Sequence, residues 1–234
     1  MGIMLPDGLV WIMDKLGFEW PDLDEDEMRR GAEMLRAYGG DLEDVIQRTD
    51  NKINGELAAS LEGEAGLAYV AAWNANRSQN LQKLVDVIDP AATGVDIAAG
   101  VVTALKTKVI IDVTSTAVTV AAMLTNPFTA PGAVAVILAK KALLNAAMDI
   151  AMEEAMGIVL PMVIEPLAEQ VPAIVMAVLD SPIVEATGAD PGRFMADLAA
   201  LGQASAELEV NAADIEDRTE QLLADLMSLN VTGG

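Results

Sequence analysis

Few residues of this 234-residue chain could do chemistry, because it holds no histidine and no cysteine. Thiol and imidazole nucleophiles, Cys/His zinc sites and disulfides are all excluded by that. Ser60, Ser78 and Ser181 have no histidine to activate them. Acid pairs are plentiful, and Glu153-Glu154 lies in the apolar half. A catalytic carboxylate pair must face one pocket in unlike environments. Adjacent residues on a helix diverge by about 100°, so these acids read as solvated helix charge. The run Asp22-Leu23-Asp24-Glu25-Asp26-Glu27 lacks the spaced ligands and central glycine of an EF-hand loop. Gly63-Glu64-Ala65-Gly66 is not followed by the Gly-Lys-Ser/Thr of a phosphate loop. Lys106, Lys108, Lys140 and Lys141 make at most a small basic spot. No catalytic constellation, metal site or cofactor site follows, and the chain reads as non-enzymatic.

The elements that would carry these residues are helices. Hydrophobic residues are 53% of the chain but aromatics only 3%, a mixture that fills helix interfaces better than β-sandwich cores. Thirty-six acids against 14 bases give a net charge of −22. A polyanion of that size repels phosphate backbones, so nucleic acid is not an expected partner. The charge is −10 over residues 1–64, −5 over 65–189 and −7 over 190–234, so both ends are acidic around an apolar middle. The first sixteen residues have no basic n-region and carry Pro6 and Asp7, so a Sec signal peptide is not expected and another export route stays open.

The apolar middle is tested by length, since a spanning helix needs roughly 20 apolar residues. Residues 109–125 include Asp112 and four hydroxyl residues up to Thr119, and residues 131–139 end at Lys140-Lys141. Residues 155–179 are interrupted by Pro161, Glu165, Pro166, Glu169 and Pro172. Burial in a soluble core is therefore expected of this tract, and membrane contact is not expected of the isolated chain.

Along the chain, a short helix follows Pro6, with Leu9, Val10, Ile12, Met13 and Leu16 apolar and Gly17 as its stop. The acidic run then opens a long helix, in accord with its dipole. Its stripe runs Met28, Leu35, Tyr38, Leu42, Val45, Ile46, Ile53, Leu57, with a kink allowed at Gly39-Gly40. If continuous, residues 25–60 extend about 54 Å. Helix resumes at Glu64 and runs to Asp89-Pro90, and a further helix spans about residues 91–125. The turn from Asn126 to Gly132 joins it to an antiparallel neighbour over about 132–158. Prolines 161, 166 and 172 allow short or kinked helices up to Asp180. A last helix begins near Pro191, with a seam at Phe194, Leu198, Leu201, Ser205, Leu208, Ala212, Ile215, Thr219, Leu222, Leu226 and Leu229. Its expected partner is the helix over residues 25–60.

Leu61-Glu62-Gly63 is a turn between amphipathic helices: the apolar residue packs it and glycine relieves backbone strain. The segment from Leu61 through Tyr69 to Trp73 resembles the WXG100 family of type VII secretion substrates, in which a Trp-x-Gly turn precedes an Ala-rich helix with an aromatic and a further Trp. Leu61 stands here in place of the first Trp. With Met4-Leu5-Pro6-Asp7, Gly17-Phe18-Glu19-Trp20-Pro21 and the acidic helix, the chain is similar to WXG100-like amino-terminal domains of actinobacterial type VII-secreted toxins, among them those that pair an outer-membrane channel with a necrotizing toxin. The family's Tyr-x-x-x-Asp/Glu export signal is absent, since Tyr38 is followed by Leu42 and Tyr69 by Trp73.

The resemblance implies an all-α, elongated helical bundle with long helical hairpins, one domain over residues 1–234. Within it lie an N-terminal hairpin (1–89), an apolar helical tract (90–180), and a connector with a long C-terminal helix (181–234). It further implies a non-enzymatic targeting or carrier module of a type VII-secreted effector, made in the cytoplasm and exported to the envelope or beyond. Small WXG100-like proteins and the secretion machinery would be its partners, met at a turn formed by Leu61, Glu62, Gly63, Tyr69 and Trp73. A channel-forming module and a cytosolic chaperone-like adaptor are the alternatives.

Overall fold

The computed structural model describes residues 2–5, 7–18, 20–62, 64–126, 128–179, 195–196 and 198–231. Gly63, Phe194, the connector around Ser181-Pro182 and Gly188–Pro191, and residues 232–234 lie outside them. The chain is an all-α bundle of long helices: α1 (Asp7–Leu16), α2 (Glu25–Asn51), α3 (Glu64–Asn76), α4 (Ile88–Leu124), α5 (Ala133–Val159), α6 (Val171–Leu179) and α7 (Leu198–Ser228). Extended structure among the described residues is one antiparallel pair, β1 (Leu61–Glu62) and β2 (Met195–Ala196), with Leu61 opposite Ala196 and Glu62 opposite Met195. Contacts divide the chain into two units: residues 1–31, 94–161 and 229–234, and residues 32–93 with 162–228.

In the first unit, α1 stops at Gly17, whose φ of 64° is the left-handed conformation that glycine adopts freely. The Phe18 amide donates to the Met13 carbonyl (3.0 Å) and the Gly17 amide to that of Asp14 (3.2 Å), the hydrogen-bond pair of a Schellman cap. That cap folds Phe18 back beside Met13. Both join Leu105, Val109 and Val113 of α4 and Leu144 of α5 in one core, edged by Leu9, Ile12, Trp20 and Met148. Each such buried side chain contributes about 1.5–3 kcal/mol. Asp24 caps α2, accepting at Oδ1 from the amides of Asp26 (3.0 Å) and Glu27 (3.2 Å). The α4–α5 turn closes through Asn126 and a 3₁₀ turn, Ala130–Gly132.

The expectation of burial for the apolar middle holds near this core and, beyond it, at Thr116 and Ala133. Beyond Val113, towards the turn, Val118, Leu124, Phe128, Val134 and Leu138 are exposed. The reason is geometric: α1 reaches the hairpin at the level of Val113 and Leu144, and among the described residues no buried hydrophobic cluster lies beyond.

In the second unit, α2 continues unbroken through Gly39-Gly40, where a kink was allowed by sequence. Gly39 serves a close approach instead, since a Cβ there would lie 3.1 Å from Ile88 Cγ2. Leu42, Ile46 and Ile88 form a core with Leu35, Tyr38, Leu84 and Ile215. Helical winding widens to π turns at Lys52–Leu57 and Arg77–Leu81, and at Leu160–Ile164 and Pro166–Gln170, where each segment contains a proline. A wide turn accommodates the missing N–H and the ring. The helix boundary that the sequence put at Asp89-Pro90 falls a few residues earlier: one helix ends at Asp86, and α4 begins at Ile88. Pro90 falls in the first turn of α4, where a backbone donor has no partner to lose.

Helix α7 packs along α2, as its seam predicts, but in a shifted register. Ala204 is buried and Asn211 half-buried, while Ser205 and Ala212 are exposed; Leu208 and Ile215 pack against the cores of this unit as expected, and Thr219, Leu222 and Leu226 are half-buried. Alanine at 204 lets α7 approach Ile53 and Leu57, and Asn211 turns in to bond Thr49.

Candidate functional site

The α2–α3 turn that carries the resemblance is built from both ends of the second unit. Leu61 and Glu62 lie in β1 and are held by β2; Gly63 lies outside the described residues. Tyr69 and Trp73, four residues apart on α3, share one helix face. They pack with Val70 against Ile53 and Leu57, and against Ala204 and Leu208 of α7. Burial pushes the Tyr69 hydroxyl pKa up. The structure thus brings Tyr69 and Trp73 together inside the hairpin, while Leu67 on the same helix is exposed.

Under the turn sits Asp50, a hub that sequence reasoning missed. Its Oδ1 accepts from Trp73 Nε1 at 3.0 Å and from Asn54 Nδ2 at 2.8 Å, and Arg77 reaches its Oδ2 at 3.1 Å. Arg77 also donates to Gln47 Oε1 at 2.9 Å. Asn54 and Asn74 exchange reciprocal amide bonds of 2.9 and 3.0 Å. Asn54 and Arg77 lie in two of the π-turn segments, Lys52–Leu57 and Arg77–Leu81, so the polar network ties these two distorted stretches to Trp73. The only sequence signal was a concentration of Asn and Arg among apolar helices.

Polar contacts then clasp α7 to α2. Lys52 pairs with both Glu56 and Glu207, and Arg48 with Asp214. Asn211 Nδ2 donates to Thr49 Oγ1 at 3.0 Å, the Tyr38 and Thr219 hydroxyls lie 3.0 Å apart, and Arg218 pairs with Asp41 and Asp214. Lys52 holds the Glu207 carboxyl below its usual range, and Arg48 does the same for Asp214. An open groove of about 420 Å³ remains between the helices, lined by Arg48, Lys52, Glu56, Glu207, Val210 and Asn211. Its charges are held in ion pairs, Lys52 with Glu56 and Glu207, and Arg48 with Asp214 beside the groove.

The sequence-derived basic spot does not form around Lys106. In the first unit Lys106 is buried, 2.7 Å from Glu25 Oε2 and 5.6 Å from the centroid of the Trp20 ring. The Ile3 amide donates to the other Glu25 oxygen, fixing the N-terminal arm to the start of α2. Lys140 lies 3.8 Å from Asp112. Glu153 and Glu154 are exposed on α5. The Ser60 and Ser78 hydroxyls donate to backbone carbonyls of their own turns; Ser181 lies outside the described residues. Among the described residues no group of three or more acids converges as a metal site, and no helix is long and apolar enough to cross a membrane.

Comparison with known proteins adds one positive finding. A family model described as the WXG100 like domain matches residues 5–148, a span from the N-terminal arm through the α2–α3 turn and well into α5. No curated protein and no solved structure matches the chain. The family match covers more than half of the sequence and so shows the family.

Proposed function

We propose, for a chain that belongs to the WXG100-like domain family, a non-enzymatic role as the targeting and carrier module of a type VII-secreted effector. The observation that carries this reading is the family match over residues 5–148. Residues 1–234 act as one module on this reading. Its recognition surface is the α2–α3 turn: Leu61, Glu62 and Gly63 present it, and Tyr69 and Trp73 set its shape from inside. The partners are small WXG100-like proteins. They would supply the Tyr-x-x-x-Asp/Glu export signal that neither Tyr38 nor Tyr69 completes.

Two features support a partner at the turn rather than along the α2 stripe. The apolar face of the hairpin is already filled by Ala204, Leu208 and Ile215 of α7. The exposed Leu67 lies one turn beyond Gly63. Co-expression with a small WXG100-like pair from the same host should give a complex by gel filtration, and Leu67→Asp should weaken it while leaving the helical circular dichroism intact. A chain that elutes alone beside every such pair would overturn the partner reading.

A further inference from the structure

We propose that the tip of the α4–α5 hairpin is a lipid-binding wedge that enters one leaflet of a membrane and stops at the Asp112–Lys140 pair. This inference rests on the first unit alone and does not depend on the secretion reading.

No residue from 113 to 139 carries a charge. Along this stretch Val118 is 66% exposed, Leu124 61%, Leu138 62% and Phe128, in the turn, 93%. Uncovered apolar surface on that scale marks an interaction site. The polar inventory decides the partner. Each hydroxyl of the tip donates to a carbonyl of its own helix or turn: Thr114 to Ile110 (2.7 Å), Ser115 and Thr116 to Asp112 (3.0 and 2.6 Å), Thr119 to Ser115 (2.8 Å), Thr125 to Ala122 (2.7 Å) and Thr129 to Met123 (3.0 Å). The turn amides are satisfied in the same way. Phe128 donates to Asn126 Oδ1 (3.0 Å), Thr129 and Ala130 to the Asn126 carbonyl (3.1 and 3.0 Å), and Gly132 to that of Thr129 (2.9 Å). These hydroxyl donors and turn amides are consumed internally, which offers a protein partner little to recognise and lowers the cost that hydrocarbon imposes on them.

Length sets the depth. Residues 113–124 of α4 rise about 18 Å at about 1.5 Å per residue, against about 15 Å for half of a roughly 30 Å hydrocarbon core. At the base, Asp112 and Lys140 lie 3.8 Å apart, with Lys108 exposed one turn below. Lysines at such a level can extend into the headgroups while their stems stay apolar. A net charge of −22 favours a zwitterionic surface over an anionic one. The sequence-based expectation that the isolated chain keeps off membranes rested on crossing, which would carry Asp112, several hydroxyls and the turn through the bilayer. A wedge that stops at Asp112 and Lys140 leaves those charges outside, and its hydroxyls are already bonded.

The absence of native cysteine permits single-site labelling of the full chain. Ala122→Cys at the tip and Lys108→Cys below the collar, each carrying an environment-sensitive fluorophore, are mixed with phosphatidylcholine vesicles at pH 7. The tip label should brighten severalfold and shift to the blue, the Lys108→Cys label should stay unchanged, and trapped dye should be retained. Adding Leu124→Asp with Phe128→Asp, both at exposed positions, should abolish the shift with helical circular dichroism preserved. No change at the tip would overturn the proposal. So would a tip shift that grows with protein concentration without vesicles, which would mean a second copy covers it. Release of trapped dye would overturn the one-leaflet depth.

Discussion

Glu25 on α2 and Lys106 on α4 meet at 2.7 Å with side chains only 1% and 4% exposed. Burial alone would raise the Glu25 pKa; the Lys106 ammonium and the Ile3 amide outweigh it and hold the carboxyl below its ordinary value. Removing one partner of a buried pair leaves the other uncompensated, so Glu25→Gln or Lys106→Met should each cost about 3 kcal/mol at neutral pH. A group whose folded pKa is depressed contributes fully above its unfolded value, about 4.3 for Glu, and loses that contribution as pH falls through the folded value. Urea midpoints from pH 7 to 3 should therefore fall more steeply for the parent chain than for Glu25→Gln.

Asp50 accepts from Trp73, Asn54 and Arg77 at once. Trp73→Phe removes one donor and should cost about 1 kcal/mol. Asp50→Ala strands three donors and should cost about 3 kcal/mol. Denaturant titration ranks the two, and near-UV circular dichroism of Trp73 should change in Asp50→Ala before the helical signal does.

The register of α7 gives a sharper contrast. Ala204 is buried beside Ile53 and Leu57, whereas Ser205, the position named by the sequence seam, is exposed. Ala204→Asp should destabilise by roughly 3 kcal/mol or more, and Ser205→Asp by less than about 0.5 kcal/mol. Equal losses at both positions would contradict the packing of α7. Leu208→Asp should behave as Ala204→Asp does.

The adjacent glycines of α2 should part company. Gly40 has open space where a Cβ would sit, so Gly40→Ala should stabilise the helix by about 0.5–1 kcal/mol. Gly39 faces Ile88 at close range, so Gly39→Val should destabilise, as read from thermal midpoints.

Much of the fold was legible because helical periodicity is local. The stripe through Leu42, Val45, Ile46, Ile53 and Leu57 is buried as its spacing requires, Gly17 stops α1, and the turn from Asn126 to Gly132 joins two helices. What escaped depends on distant partners. Nothing in the first turn of α2 marks Glu25, rather than Asp24 or Asp26, as the acid that meets Lys106, because its partner lies 81 residues away. Ser205 and Asn211 could not be ranked against Ala204 and Ala212 without knowing how closely α7 approaches α2. The apolar tip looked buried because composition records hydrophobicity but not which helix, if any, covers it. The turn at Leu61 was legible as a break, while the Asp50 network beneath it has no sequence period at all.

Export is the most direct test of the central reading. The full chain, carrying a small epitope tag, is expressed in a host with a working type VII apparatus and in the same host lacking it, with and without the small WXG100-like pair. The tagged chain should reach the medium only when apparatus and pair are both present, while a cytosolic marker stays inside the cells. Equal amounts of tagged chain in the medium of both hosts, or retention inside the cells under every condition, would contradict a type VII carrier role.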